Sequence, residues 1–335
     1  MIQPVFKFPE LLREGDMVRV IAPSLSLGNI SEEIRSIANE RFRTELGLTV
    51  TYGERSQIVD STAGSPIEDR VTDLHNAFAD PEVKAIFSAN GGYATNQLLG
   101  RVDWDLIKEN PKVFCGFSDV NALGNAILSR TGLVTYSGPH YVSLGQKHFN
   151  TYTTDSLRTA LFERGTYDIT PSQEWTDDEL WYLNQEDRNP IQGEGNWAIQ
   201  PGKAEGRIIG GNLCTTNLLQ GTEYFPTSPD TIGFVEDTHM SSRGFFERDL
   251  QSLLHAQAMK GLIIGRFQRD SKIGRSEIEA IVRTKTELNN VPVVANVDFG
   301  HTFPMVTYPL GGRVSLDVSD SETRITVINQ HEEIA

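Results

Sequence analysis

The sequence predicts an α/β protein built on a mostly parallel sheet, and three observations carry that expectation. Short apolar runs alternate with helical patterns through the first part of the chain. The helical stretches carry start and stop signals at their ends. Polar, chemically capable residues stand directly after apolar strands. Alternation of this kind implies a sheet with helices on both faces.

The elements follow in order. Asp16–Ala22 (DMVRVIA) reads as a buried strand. Ser31–Leu46 reads as a helix, with Ser31 as N-cap, acids in its first turn and Gly47 as its stop. Leu48–Tyr52 is the next strand. Ser65-Pro66 opens a helix to Ala79, with Pro66 at the first helical position. Val83–Ala89 is a strand that ends in the Asn90-Gly91-Gly92 turn. Lys112–Phe117 is a strand, Asp119–Arg130 a helix, and Leu133–Tyr136 a short strand. Periodicity fades between Phe149 and Pro201, which reads as a linker or long functional loop. Beyond it, Ala204–Ile209 and Thr231–Val235 read as strands and Phe245–Lys260 as a helix. Leu262–Phe267 is a strand, Ser276–Leu288 a helix and Val291–Val297 a buried strand. Arg313–Val318 and Arg324–Ile328 read as a closing hairpin.

With 335 residues there is room for two domains. The expected division is 1–165 for an N-terminal domain carrying the nucleophile and 166–200 for a linker and substrate loop. Residues 201–335 form the C-terminal domain. Hydrophobic residues at 38% supply a sizeable core. The net charge of -15 and pI near 4.9 argue against nucleic-acid polymers and anionic membranes as partners. Cys115 and Cys214 sit in apolar or small-residue surroundings and are expected to be buried thiols. The N-terminus lacks the basic start and apolar run of a signal peptide. No stretch approaches the ~20 apolar residues of a membrane span. A cytoplasmic location is the expectation.

Ligands of open α/β sheets bind beyond the carboxyl ends of the strands. Three sites there hold complementary chemistry: KVFCGF runs into Ser118, TIGFV into Glu236-Asp237, and VPVVANVDFG into His301. A serine hydroxyl needs an adjacent base, and histidine's ordinary pKa of ~6.5 suits that role. The imidazole needs a carboxylate to set its tautomer. Ser118 also opens a helix, whose free N–H groups favour an oxyanion. Each residue has a plainer reading: Ser118 as a helix N-cap, Glu236-Asp237 as a solvated strand end, His301 as a loop histidine. The residue pattern alone leaves both open.

Other motifs are excluded. Asn90-Gly91-Gly92 lacks the spacing of a dinucleotide fingerprint, although its glycines allow backbone N–H groups to approach a ligand. Gly202-Lys203-Ala204 is not a phosphate loop, because Trp197 replaces the motif's first glycine. The histidines and cysteines have no metal-ligand spacing. Val120 replaces the second glycine of the G-x-S-x-G elbow.

The segments SANGGYATNQLL, FCGFSDVNALGNAI, IIGGNLCTTNLLQGT, FVEDT, FFERDLQSLL and VDFGHTFPMVTYPLGG together resemble serine peptidase family S66. That family comprises the LD-carboxypeptidases and the MccF immunity proteins, and the resemblance covers nearly the whole chain. It implies a Ser118–Glu236–His301 triad and an oxyanion hole from the backbone N–H groups of Gly92 and Asp119. It implies a flavodoxin-like, class I glutamine amidotransferase-like N-terminal domain and a β-rich C-terminal domain. It also implies a cytoplasmic homodimer needing no metal or cofactor. Asn212 is expected to hold the aminoacyl part of the substrate.

The two branches differ in substrate. LD-carboxypeptidases release D-alanine from peptidoglycan tetrapeptides. MccF-like enzymes cut the bond joining an amino acid to a nucleotide. The MccF branch carries a longer loop with a base-stacking tryptophan, here Pro171–Gly195 with Trp175, Trp181 and Tyr182. That length favours the MccF-like branch, with Trp181 ahead of Trp175 as the stacking residue. The plainer reading makes these aromatics anchors for the loop. Residues 237–242 lack the lysine that some MccF enzymes place against the phosphate or sulfamate, and Arg243 is the substitute. Two rivals remain: a small-molecule binding protein without catalysis, and a thiol enzyme using Cys115 or Cys214.

Overall fold

The structure, a computed structural model, describes residues 6–178, 185 and 188–331. Two sheets organise it. The first has six strands, in the spatial order Tyr308–Leu310, Thr135–Ser137, Val113–Cys115, Val83–Ser88, Met17–Ile21 and Thr49–Tyr52. The five from the N-terminal half are parallel. Side chains alternate across a strand, so Val83–Ser88 serves both faces. Ala85 and Phe87 pack with Ile34, Ala38 and Phe42 of helix Glu32–Thr44. Ile86 packs with Leu74 and Phe78 of helix Ile67–Ala79 and with Leu123 and Ile127 of helix Asn121–Thr131. This is the expected layer of helices on both sides.

The second sheet has eight strands, and its middle is again parallel. Gly202–Asn212, Thr231–Glu236, Met259–Gly265 and Val293–Val297 run side by side. Antiparallel strands flank them: Arg313–Val318, Thr323–Gln330 and Gly165–Asp168 on one side, Trp197–Gln200 on the other. The expected closing hairpin is present.

Three features differ from the sequence reading. Residues 149–201 are not one loop, because they contain helix Thr151–Phe162 and four short strands. That helix is rich in β-branched threonine, which weakens the helical signal. It is held by Leu157, Ala160 and Leu161, which join the core on one face of the first sheet. Next, the helix expected to reach Lys260 stops at Ala256, and Met259–Gly265 is already strand. Lastly, Tyr308–Leu310 leaves the C-terminal half to become an edge of the first sheet. Pro309 suits that place, since proline cannot donate to a central ladder. Among the described residues no helix is long and apolar enough to cross a membrane.

The two sheets meet at helix Asn121–Thr131. Asn125 donates to Gly210 O at 2.8 Å, and Asn121 Oδ1 accepts from the Asn212 N–H at 3.0 Å. The close approach requires glycine: a Cβ on Gly211, at φ +119°, would stand 2.5 Å from Asn121 Cγ. The carboxyl ends of both parallel strand sets therefore face a common space.

Candidate active site

Ser118 follows strand Val113–Cys115 and begins a 3₁₀ turn, Ser118–Val120, that leads into helix Asn121–Thr131. Its φ is +57°, a conformation that non-glycine residues rarely adopt and that marks functional sites. The hydroxyl does not cap the helix. Ser118 Oγ lies 3.0 Å from His301 Nε2. His301 Nδ1 lies 2.7 Å from Glu236 Oε2. Glu236 ends strand Thr231–Glu236 and is buried, so its carboxylate is shielded from water where it meets the imidazole. The structure thus brings together three residues spread over 183 positions. A hydroxyl, an imidazole within reach of its proton and a carboxylate behind the imidazole can perform nucleophilic acyl transfer.

Around this group, the chain just after the Gly91-Gly92 turn is fastened by the carboxylate of Asp119. Asp119 Oδ2 accepts from the N–H groups of Ala94 and Thr95, both at 2.9 Å, and from the hydroxyls of Thr95 and Ser24 at 2.7 and 2.6 Å. The turn and the residue after the nucleophile, expected to share an oxyanion hole, are therefore held as one unit. Gly92 has φ +147°, and a Cβ there would lie 2.3 Å from Ser24 Oγ. The side-chain role of Asp119 was not part of the sequence reading, because its partners lie 24 to 95 residues away.

Asn212, expected to hold the aminoacyl part of the substrate, stands beside the carboxylate of Glu236. It is buried, and it caps helix Leu213–Asn217 by accepting from the Thr215 N–H. Its Nδ2 donates to Glu236 Oε1 at 3.1 Å. The two carboxylate oxygens of Glu236 are thus divided between Asn212 and His301, which fixes the plane of the carboxylate. Asp237, also buried, has a carboxyl raised above its ordinary range by burial and by the neighbouring Glu236 charge.

The remaining expected residues scatter. Trp175 lies in strand Glu174–Trp175, its ring 4.8 Å from the Arg266 guanidinium. It lines a cavity of about 420 Å³ with Trp197, Gly265, Arg266 and Asn296. Trp181, with Tyr182, lies outside the described residues. Arg243 opens helix Arg243–Ala256 and is exposed. Its charge adds to hydrogen bonds, chiefly from Ser276, in lowering the Glu277 carboxyl.

Cys115 is buried as expected and burial raises its thiol pKa, whereas Cys214 is exposed. Helix Leu213–Asn217 buries Leu213, Thr215 and Thr216 and leaves Cys214 outward. Partial burial of the sulfur and the nearby Asp237 carboxylate still push its thiol up to about 12. Neither cysteine forms a ready thiolate, which disfavours the thiol-enzyme rival. Among the described residues no cluster of three His, Cys, Asp or Glu could hold a metal ion.

Sequence reasoning passed over His140. It follows strand Thr135–Ser137 at the same end of the sheet as Ser118, so the rule that located the triad could have found it. Burial and the nearby His301 push its pKa down to about 3. A histidine depressed in the fold stabilises it above the unfolded pKa of ~6.5, and that stability is lost as pH falls toward about 3. Between pH 6.5 and 4.5, His140 is expected to remove about 2–3 kcal/mol of stability. Urea unfolding at both pH values checks this. His140→Gln should show a smaller loss than the wild type over that interval, and an equal loss would reject the assignment.

Comparison with known proteins shows the family. Residues 18–138 match the LD-carboxypeptidase N-terminal domain, and residues 205–316 match the LD-carboxypeptidase C-terminal domain. The chain belongs to peptidase family S66. Membership makes it a carboxypeptidase of the serine hydrolase type. A Bacillus subtilis protein named "Putative carboxypeptidase YocD" is 44% identical, covering 94% of this chain and 98% of that one. The crystal structure of an MccF-like protein from Bacillus anthracis superposes with a TM-score of 0.94 at 44% identity, covering 97% and 100% of the two chains. The microcin C7 self-immunity protein MccF of Escherichia coli is 29% identical over 94% of both chains.

Proposed function

We propose that this family S66 member is an MccF-like serine hydrolase that cuts the amide-type bond between an amino acid and a nucleotide, as in processed microcin C or aminoacyl-sulfamoyl adenylates. Such a reaction would serve antibiotic self-immunity or detoxification. The observation that carries the catalytic part is the relay from Ser118 through His301 to Glu236, at 3.0 and 2.7 Å. His301 takes the Ser118 proton as Ser118 attacks the carbonyl. The backbone N–H groups of Gly92 and Asp119 receive the oxyanion. His301 then protonates the leaving amine, and water clears the acyl-enzyme with His301 again as base. Glu236, held by Asn212, keeps the imidazole in the required tautomer.

The substrate part is supported by likeness to MccF solved with glutamyl sulfamoyl guanosine, at a TM-score of 0.84 and 25% identity. It is also supported by the long polar segment 171–195 and by the Trp175-lined cavity, one wall of which, Gly265, lies against Glu236. Arg243 supplies a cation for the phosphate or sulfamate. A homodimer, the residue division at 165 and 200, and a cytoplasmic setting complete the reading.

The test is kcat/KM for an aminoacyl-sulfamoyl adenosine and for a peptidoglycan tetrapeptide, in wild type and Trp181→Ala. Base stacking contributes ~1–3 kcal/mol. The variant is therefore expected to lose about 5- to 150-fold on the nucleotide substrate alone. Tetrapeptide cleavage with no nucleotide preference would make the chain an LD-carboxypeptidase instead.

A further inference from the structure

Behind the Gly91-Gly92 turn lies a serine that the relay does not use. Ser24 follows strand Met17–Ile21, which pairs with the strand Val83–Ser88 that leads into the turn. It is 1% exposed. Its hydroxyl donates to Asp119 Oδ2 at 2.6 Å. The same oxygen accepts from the Ala94 N–H at 3.4 Å. A Cβ added to Gly92 would stand 2.3 Å from Ser24 Oγ and 2.9 Å from Leu25 Cγ, so the turn rests directly on this segment. Gly91 in turn lies beside the nucleophile, since a Cβ there would stand 3.4 Å from Ser118 Oγ.

The segment around Ser24 is itself anchored. The Leu25 N–H donates to Gly91 O at 3.1 Å. Arg70, buried, donates through Nη1 to Pro23 O and to Ala94 O, both at 3.1 Å, and through Nε to Ser65 O at 2.9 Å. Backbone on both sides of Ser24 is therefore tied to backbone on both sides of Gly92. The hydroxyl adds what those ties lack. It joins this frame to Asp119, the residue after the nucleophile, through a short bond to a carboxylate, which is stronger than a bond between neutral groups. The chain beyond three strand ends, those of Met17–Ile21, Val83–Ser88 and Val113–Cys115, thus meets at one buried oxygen. Misplacement of a site by ~1 Å can cost about a hundredfold in rate, even when the change lies away from the chemistry.

We propose that Ser24 is a positioning residue of this site, whose hydroxyl sets the Gly91-Gly92 turn against Ser118 and so aims the Gly92 and Asp119 N–H groups at the carbonyl under attack. The inference rests on the reading of Ser118 as nucleophile and of those N–H groups as its oxyanion hole. Ser24 touches no substrate and moves no proton; that task stays with His301. It acts through the backbone of the turn. Its loss therefore weakens an interaction made mainly in the transition state and leaves ground-state binding in place.

The test measures the rate at which a fluorophosphonate reacts with Ser118, together with kcat, KM and the pH profile on whichever substrate the wild type turns over. Ser24→Ala removes the hydroxyl and keeps the Cβ. It is expected to slow phosphonylation and kcat by about ten- to thirtyfold, with KM within about twofold of wild type. The limb of the pH profile set by His301 should stay where it is, because the base is untouched. Ser24→Cys keeps the shape with a weaker donor and should fall between wild type and Ser24→Ala. A role in stability alone predicts a lower Tm with both rates within about twofold of wild type. That result, a change in KM alone, or a shifted pH limb with an unchanged plateau would overturn the proposal. Should Ser24→Ala not fold, Ser24→Cys at the wild-type rate overturns it equally. A wild type that fails to react with the probe would overturn both the Ser118 reading and this one. Labelling without turnover of either candidate substrate would count against the substrate reading alone, and the phosphonylation rate of Ser24→Ala then decides.

Discussion

Ser118→Ala is expected to lower kcat by about four to six orders of magnitude, because members of a nucleophile–base–carboxylate unit act together and removal of one forfeits most of the gain. The fold should survive. Ser118 Oγ makes its described side-chain contact with His301, not with a helix end or a core group. Alanine keeps the same backbone demand at φ +57°, so strain at the turn is unchanged. The variant should melt within a few degrees of wild type and fail to react with a fluorophosphonate. Turnover followed by mass spectrometry reads the loss directly. A variant within about tenfold of wild type would remove Ser118 from the mechanism and favour a chain that binds its ligand without this chemistry.

Glu236→Gln is expected to cost about three to four orders of magnitude in kcat with little change in KM. The carboxylate accepts on both oxygens, from His301 at 2.7 Å and from Asn212 at 3.1 Å. A carboxamide has only one accepting end. Either Asn212 meets an N–H group in place of an acceptor, or His301 does. In the second case the imidazole keeps its proton on Nε2, facing Ser118, and cannot act as base. The lost negative charge also leaves the imidazolium of the transition state unsupported in a buried setting. Asn212→Ala separates orientation from charge. It should cost much less than Glu236→Gln, because the carboxylate remains. Equal losses in the two variants would show that the plane of Glu236, rather than its charge, does the work.

Much of this arrangement was legible in the chain itself. Ser118, Glu236 and His301 each follow an apolar run that had to be a buried strand. In a parallel sheet the carboxyl ends of neighbouring strands lie together. Strand periodicity, the Ser31 cap and the Gly47 stop needed only local information. The helix Thr151–Phe162 was not legible, because its threonines weaken the local preference and its helicity is sustained by packing against the first sheet. The edge strand Tyr308–Leu310 was hidden for the same reason, since its pairing partner Thr135–Ser137 lies some 170 residues earlier.

What the sequence by itself determined is which polar residues stand at strand ends, because residue type and short-range hydrophobic pattern are local properties; their chemistry stayed open on that pattern and was indicated by the family resemblance. Tertiary structure alone decided how those groups are held. Asp119 ties Ala94 and Thr95, just after the Gly91-Gly92 turn, to the chain that carries the nucleophile, Asn212 donates to Glu236, and His140 meets Ser88 through Nδ1. Each of these depends on a distance of a few ångströms between residues far apart along the chain. The docking of helix Asn121–Thr131 on Gly210 and Gly211, together with strand Tyr308–Leu310 at the edge of the first sheet, joins the two sheets so that His301, backed by Glu236, meets Ser118.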